Sequence, residues 1–196
     1  THGYDTLDHM HIDVRLGGDA AFDRLITACR DMGLQVILDG VFNHVSRNHP
    51  VVQASLDEAA GRLDPADNPW HGLVRTHVGD NGEPTLDVFE GHDDLVALDH
   101  SSDKAVDYVA RVTDYWLNRG AAGWRLDAAY AVPSAFWARV LPQVKATHPD
   151  SWVFGEVIHG DYPRIIEEST MDSVTQYELW KSIQHALETE NFFELD

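Results

Sequence analysis

The sequence predicts an α/β protein assembled from parallel βαβ units. Three observations carry that prediction. Helical patterns alternate with short apolar runs along most of the chain. The runs LQVILDGVF (34–42), GWRLDA (123–128) and SWVFGEVI (151–158) are almost continuously apolar, as strands covered on both faces require. Polar residues gather at the C-terminal ends of those runs, where closed barrels and open parallel sheets alike collect ligands and reactive groups.

The elements follow in order. DAAFDRLITACRDMG (19–33) reads as an amphipathic helix, with Asp19 as its cap, Phe22, Leu25, Ile26, Cys29 and Met32 along one stripe, and Gly33 as its stop. The strand 34–42 comes next. The stretch 45–102 is irregular and rich in Pro, Gly, Asp, Asn and His, and LVRTHV, GDNGEP and TLDVFEG within it read as strand, turn and strand of a hairpin. A structureless connection of that length is unusual, so residues 45–98 are expected to form a small inserted subdomain between 1–44 and 99–196. A second helix fits DKAVDYVARVTDYWLNRG (103–120), with Val106, Val109, Ala110, Thr113, Trp116 and Leu117 on one side and Gly120 at the end. The strand GWRLDA leads to a helix through AFWARVLPQVKATH, opened by Pro133-Ser134 and stressed by Pro142. SWVFGEVI is the next strand, PRIIEES a short helical turn, and SVTQYELW (173–180) a final strand.

Composition narrows the function. The chain has 196 residues, 43% hydrophobic and 24% charged, enough for one sizeable core. A formal net charge of −19 argues against nucleic acid or an anionic membrane as a partner, since both need cationic surface. No apolar run approaches the roughly 18 residues of a membrane helix. One cysteine, Cys29, excludes an internal disulfide framework. The chain opens on THGYD with neither an initiator Met nor a signal-like segment, so it is expected to be an excerpt; compartment stays open, with a cytoplasmic setting the default, and oligomeric state is not legible.

The strand-end residues are Asp39, Asn43, His44, Arg125, Asp127 and Glu156. Each has a bland reading: Asp39 as a turn cap, His44 as a loop histidine, Arg125 with Asp127 as a structural ion pair. Arg125 and Asp127 stand two apart in a strand and so share a face. Glu156, behind Val, Phe and Gly, is harder to dismiss, because buried Glu is rare without a purpose. As a set they suit retaining glycoside cleavage, which needs a carboxylate nucleophile and a carboxylic acid about 5–5.5 Å apart. On that reading Arg125 holds the Asp127 carboxyl below its ordinary pKa, while an apolar setting raises that of Glu156.

With these residues in place, the chain resembles the α-amylase family of retaining glycoside hydrolases. HGYDTLDHMHIDVRLGG, DGVFNH, FEGHDDLVALD, GWRLDAAYAVP and VFGEV resemble the family's conserved segments, in the family's order. GWRLDAAYAVPSAFW, SWVFGEVIHGDY and DSVTQYELW are most similar to its neopullulanase and cyclomaltodextrinase branch. The resemblance implies part of a (β/α)8 barrel, about strands 3 to 6 with their helices, and an α-glucan or malto-oligosaccharide substrate. It implies Asp127 as nucleophile and Glu156 as general acid/base, with Arg125 positioning Asp127. Tyr4 would stack on the sugar on the non-reducing side of the scissile bond, and His44 and His2 would hydrogen-bond it. Asp39 and Asn43 would be scaffold residues. No cofactor is expected: Asn43 matches a calcium-ligand position, but Ala97 stands where a partner Asp would. Ala131 stands where the branch carries Glu. A third family acid, an Asp preceded by His after the seventh strand, has no counterpart here, so the 196 residues alone are expected to be inactive.

Other readings remain open at this point. Transfer to a second sugar would use the same residues as hydrolysis. A non-catalytic relative would keep the scaffold alone. His9 and His11 form the HxH pair of metal-dependent amidohydrolases, although the apolar strand that should precede such a pair is missing.

Overall fold

The computed structural model describes residues 2–195, with Glu194 and Leu195 described by their backbone alone. In chain order the elements are α1 (Gly18–Asp31), β1 (Ile37–Gly40), β2 (His44–Ser46), α2 (Pro50–Ala59), β3 (Thr76–Val78), β4 (Pro84–Leu86), β5 (Val88–Phe89) and β6 (His92–Ala97). Then follow α3 (Asp103–Asn118), β7 (Gly123–Leu126), α4 (Ser134–Thr147), β8 (Trp152–Gly155), α5 (Tyr162–Ser169), β9 (Ser173–Val174) and α6 (Tyr177–Thr189).

Four strands form one parallel sheet in the order β1-β7-β8-β9. Helices α3, α4 and α5 connect or flank these strands, so the βαβ pattern read from the sequence is the pattern of the fold. Gly123 makes the β7–β8 pairing possible: a Cβ there would lie 1.9 Å from the Trp152 carbonyl oxygen. Between β1 and α3 the chain makes two antiparallel sheets, β2-β6-β5 and the hairpin β3-β4, which pairs Thr76 with Leu86 across the expected GDNGEP turn.

One core runs through both parts. Phe42, Trp124, Trp137, Phe136, Val109 and Leu126 from the parallel layer join Val45, Val51, Leu73 and Val96 from the 45–98 segment in a single buried cluster. The α3 stripe is buried as the sequence implies at Val106, Val109, Thr113, Trp116 and Leu117, with Ser102 capping through its side chain to the Lys104 N–H. No helix among the described residues is long and apolar enough to cross a membrane.

Several expectations are corrected. Asp19 is not the cap of α1; Gly17, in the left-handed region, takes that place, and Asp19 accepts from the Ile12 N–H and from Arg119. Only Phe22 of the α1 stripe is buried, edge-on to Trp116 at 4.8 Å, while Leu25 and Met32 are exposed. Strand 34–42 shortens to four residues and is not covered on both faces, because β1 is an edge of the described sheet and Ile37 and Asp39 are exposed. SVTQYELW is a strand only at Ser173–Val174; Tyr177 opens a helix, since Trp180, Ile183 and Leu187 follow the three-to-four spacing of a helical face. Helix α2, opened by Pro50 behind His49, was not foreseen.

Candidate active site

Parallel register builds the site. Asp39 on β1, Arg125 on β7 and Phe154 on β8 are side by side, and Leu126 pairs with both Gly40 and Gly155. Asp127 and Glu156 therefore leave adjacent strands at the same level, and the ladder runs one step further: the Asp127 N–H donates to Gly40 O and the Glu156 N–H to Leu126 O, each at 2.9 Å. Ala128 then adopts φ 47°, a left-handed conformation that costs a non-glycine residue backbone energy. Its N–H donates to Glu156 Oε2 at 3.0 Å, so the turn after Asp127 fixes the acid on the next strand.

One guanidinium joins three carboxylates from three strands. Arg125 Nη1 donates to Asp39 Oδ1 at 2.6 Å and to Asp127 Oδ1 at 3.1 Å, and Nη2 lies 2.8 Å from Glu156 Oε1. Tyr177, at the start of α6, donates its hydroxyl to Glu156 Oε1 at 3.2 Å. Asp127 is 9% exposed.

The electrostatics differ from the sequence expectation. Burial opposes the charge on Arg125, but the hydrogen bond and charge of Asp39, with Glu156 and Asp127 behind it, raise its pKa overall. Asp127 was expected below the usual carboxylate range; it lies above it. Burial pushes it up, the Arg125 contact pulls it down, and the charges of Glu156 and Asp39 push it up again. Since the guanidinium is shared among three acids, it does not outweigh the burial of one.

Tyr4, half-exposed, donates its hydroxyl to Asp39 Oδ2 at 3.3 Å. Asp39 thus ties the Tyr4 ring to Arg125 and does not cap a turn. His2 is exposed; its Nδ1 accepts from the Tyr4 N–H at 3.1 Å, and its ring stacks on Tyr4 at 6.0 Å. His44 is 2% exposed, with both nitrogens engaged inside the protein: Nε2 donates to Tyr4 O at 2.9 Å, and Nδ1 accepts from the Asn43 amide at 3.2 Å. Its ring stacks on Phe89 at 4.9 Å, and burial lowers its pKa. His44 therefore braces the Tyr4 segment from below. Sequence reasoning missed Tyr177, which it had placed in a strand, and the Ala128 N–H, which carries no residue-type signal.

The metal readings find little support in the donor chemistry. Asn43 shares a 780 Å³ cavity with Arg75, His100 and Arg139, and Ala97, paired with His44, offers no side-chain oxygen. Calcium wants six to eight oxygen ligands, and the two acids that line this cavity are engaged elsewhere, Asp87 by Arg75 and His77 and Glu90 by the Tyr130 hydroxyl. No cluster of three or more His, Cys, Asp or Glu among the described residues is placed to hold an ion. The HxH pair does not converge. His9 is spent on Tyr108, whose hydroxyl it accepts at 2.9 Å, and on Val41 O, to which it donates at 2.8 Å, while His11 faces solvent beside Asp8. Trp70 is partly buried and packs edge-on to His49 at 5.1 Å and Tyr108 at 6.1 Å, against the shared core.

Known proteins resemble this chain along nearly its whole length. The family model for Alpha-amylase, described as the alpha amylase catalytic domain, matches residues 1–193. The chain is 30% identical over 183 residues to a maltogenic alpha-amylase of Bacillus acidopullulyticus, covering 93% of this chain and 30% of that protein. It is 30% identical over 177 residues to a cyclomaltodextrinase of Bacillus sp, covering 90% and 31%. Among solved structures it is similar to the ligand-free cyclic alpha-maltosyl-(1→6)-maltose hydrolase of Arthrobacter globiformis, with a TM-score of 0.80 and 25% identity, covering 93% of this chain and 40% of that one. The chain thus spans about a third of the length of the curated relatives it matches.

Proposed function

The chain belongs to the alpha-amylase family, and from that premise we propose that the protein containing it cleaves α-glucosidic bonds of malto-oligosaccharides by double displacement. The observation that carries the proposal is the single guanidinium of Arg125 touching both Asp127 and Glu156 at the ends of neighbouring strands. A nucleophile and an acid held that close suit a retaining reaction, whose carboxyls stand about 5–5.5 Å apart.

In the first step an Asp127 carboxylate oxygen attacks the anomeric carbon as the glycosidic C–O bond breaks, and Glu156 gives its proton to the departing oxygen. A glycosyl ester of Asp127 results. In the second step Glu156 takes a proton from water, the water oxygen bonds to the anomeric carbon, and the Asp127 ester bond breaks. Arg125 steadies the charge that returns to Asp127. Tyr177 and the Ala128 N–H fix the two oxygens of Glu156. Tyr4 offers a ring face to the sugar from the Asp39 side. The chemistry is assigned to side chains without a metal ion. The family's third acid has no counterpart in residues 1–196, so this segment alone is assigned no turnover.

The test uses the full-length protein with maltotriose. Asp127→Ala is expected to abolish cleavage, and the first-formed product of the unaltered enzyme should be the α-anomer by proton NMR. Unchanged turnover in Asp127→Ala, or a β-anomeric first product, would falsify the assignment.

A further inference from the structure

Tyr4 stands on a stretch with no ladder of its own, since the first helical turn among the described residues begins at Val14. Its hydroxyl reaches Asp39 Oδ2 at 3.3 Å, longer than a strong charge-assisted bond, and its ring stacks on His2, which is itself exposed. Neither contact fixes the ring. The backbone beneath is held better: His44 Nε2 donates to Tyr4 O and the Ser46 N–H to Thr6 O, each at 2.9 Å.

The firmest grip on that stretch falls at His9. Its Nε2 lies 2.8 Å from Val41 O, its Nδ1 lies 2.9 Å from the Tyr108 hydroxyl, and its own carbonyl accepts from Trp116 Nε1 at 2.7 Å. The ring stacks on Phe42 at 5.4 Å. A carbonyl can only accept, so Nε2 carries the hydrogen and Nδ1 accepts from the phenol; one neutral tautomer satisfies both ends. Tyr108 and Trp116 are both buried and stand eight residues apart on α3, hence on one stripe of that helix. Val41 follows Asp39 closely at the end of β1. Two stretches of chain are therefore bonded to each other at both ends, Tyr4 to Asp39 at one and His9 to Val41 at the other. A phenylalanine in place of His9 could still stack on Phe42, but it would leave Val41 O and the Tyr108 hydroxyl without this partner.

We propose that His9 is the positioning residue for Tyr4: by clamping the stretch 4–9 between α3 and the end of β1, it sets where the Tyr4 ring stands against the sugar. The inference rests on the glycosidase reading, in which Tyr4 offers that ring to the substrate. A ring held in place before binding is felt alike by substrate and transition state, so the clamp acts on affinity and leaves the chemical step alone.

The experiment measures kcat and KM for maltotriose in the full-length protein, with His9→Phe made alone and together with Tyr4→Ala. His9→Phe should raise KM roughly fivefold, the worth of one hydrogen bond, and leave kcat within about twofold. In the Tyr4→Ala background the same change should have almost no effect, because the ring it positions is gone. A merely structural loss would not show that coupling. Tyr108→Phe keeps the packing and removes the hydroxyl; it should follow the same pattern, and it carries the comparison if His9→Phe does not fold. His9→Gln, whose amide can donate to Val41 O and accept from Tyr108, should retain the native KM. An unchanged KM in both His9→Phe and Tyr108→Phe overturns the inference, as does a rise of equal size with and without Tyr4. Absence of maltotriose turnover by the unaltered full-length protein overturns the glycosidase reading itself, and the inference with it.

Discussion

Asp39 receives a shorter hydrogen bond from Arg125, 2.6 Å, than Asp127 does from the same nitrogen, 3.1 Å. The more exposed acid on β1 therefore anchors the guanidinium, and the buried acid on β7 takes what orientation remains. Asp39→Ala should release Arg125 and the Tyr4 hydroxyl together. Charge-assisted bonds contribute about 1.5–3 kcal/mol, so kcat/KM of the full-length enzyme on maltotriose should fall roughly tenfold or more. Arg125→Lys should not rescue function, because an ammonium cannot span two carboxylates as a planar fork does.

Acid should destabilise the shared core through its buried histidines. Burial, with the neighbouring His9 charge, lowers His49 to about 4, and burial likewise lowers His9 and His100. These groups are neutral in the fold and bind protons more readily once unfolded, near pH 6.5. Their stabilisation is present above that value and is lost as pH falls toward 4, up to about 3 kcal/mol for His49. Thermal melts from pH 7 to 4.5 should show a falling midpoint. The slope should flatten in His49→Asn, which keeps an acceptor for the Val51 N–H at the start of α2.

Gly123→Ala should separate β7 from β8. The added Cβ meets the Trp152 carbonyl oxygen at 1.9 Å, and neither backbone can yield without breaking the ladder. A loss of about 3 kcal/mol in denaturant unfolding is expected, with activity lost beside it because Asp127 and Glu156 no longer leave their strands at one level.

Chelation is a direct check on the metal-free assignment. Prolonged EDTA treatment of the full-length enzyme followed by gel filtration should leave both maltotriose turnover and melting midpoint where they were. A drop restored by added calcium would overturn the metal-free assignment.

Much of this arrangement was legible in the chain because it is local. The alternation around Arg125 and Asp127, the stripe of α3 and the GDNGEP turn are each written within a dozen residues. The polar residues at the ends of neighbouring apolar runs suggested the pairing of Asp127 with Glu156, and the resemblance to a known family attached a role to each. What escaped is nonlocal. QYELW looks extended until Ile183 and Leu187 complete a helical face, and only then does Tyr177 reach Glu156. His44 looked free to meet a sugar until Phe89 and Tyr4 folded onto it. The direction of the Asp127 shift depends on two further acids, from β1 and from the end of β8, drawing on the same guanidinium, a fact no single segment contains.

The sharing of Arg125 also shapes what can approach. Three acids against one cation leave the strand ends with surplus negative potential, within a chain already strongly anionic. Where the largely buried Asp127 and Glu156 adjoin low-dielectric protein, that field is poorly screened. On the proposed function, an uncharged hexose would meet no opposing field there, whereas a phosphorylated, sulfated or uronic sugar would be repelled before any hydroxyl is recognised.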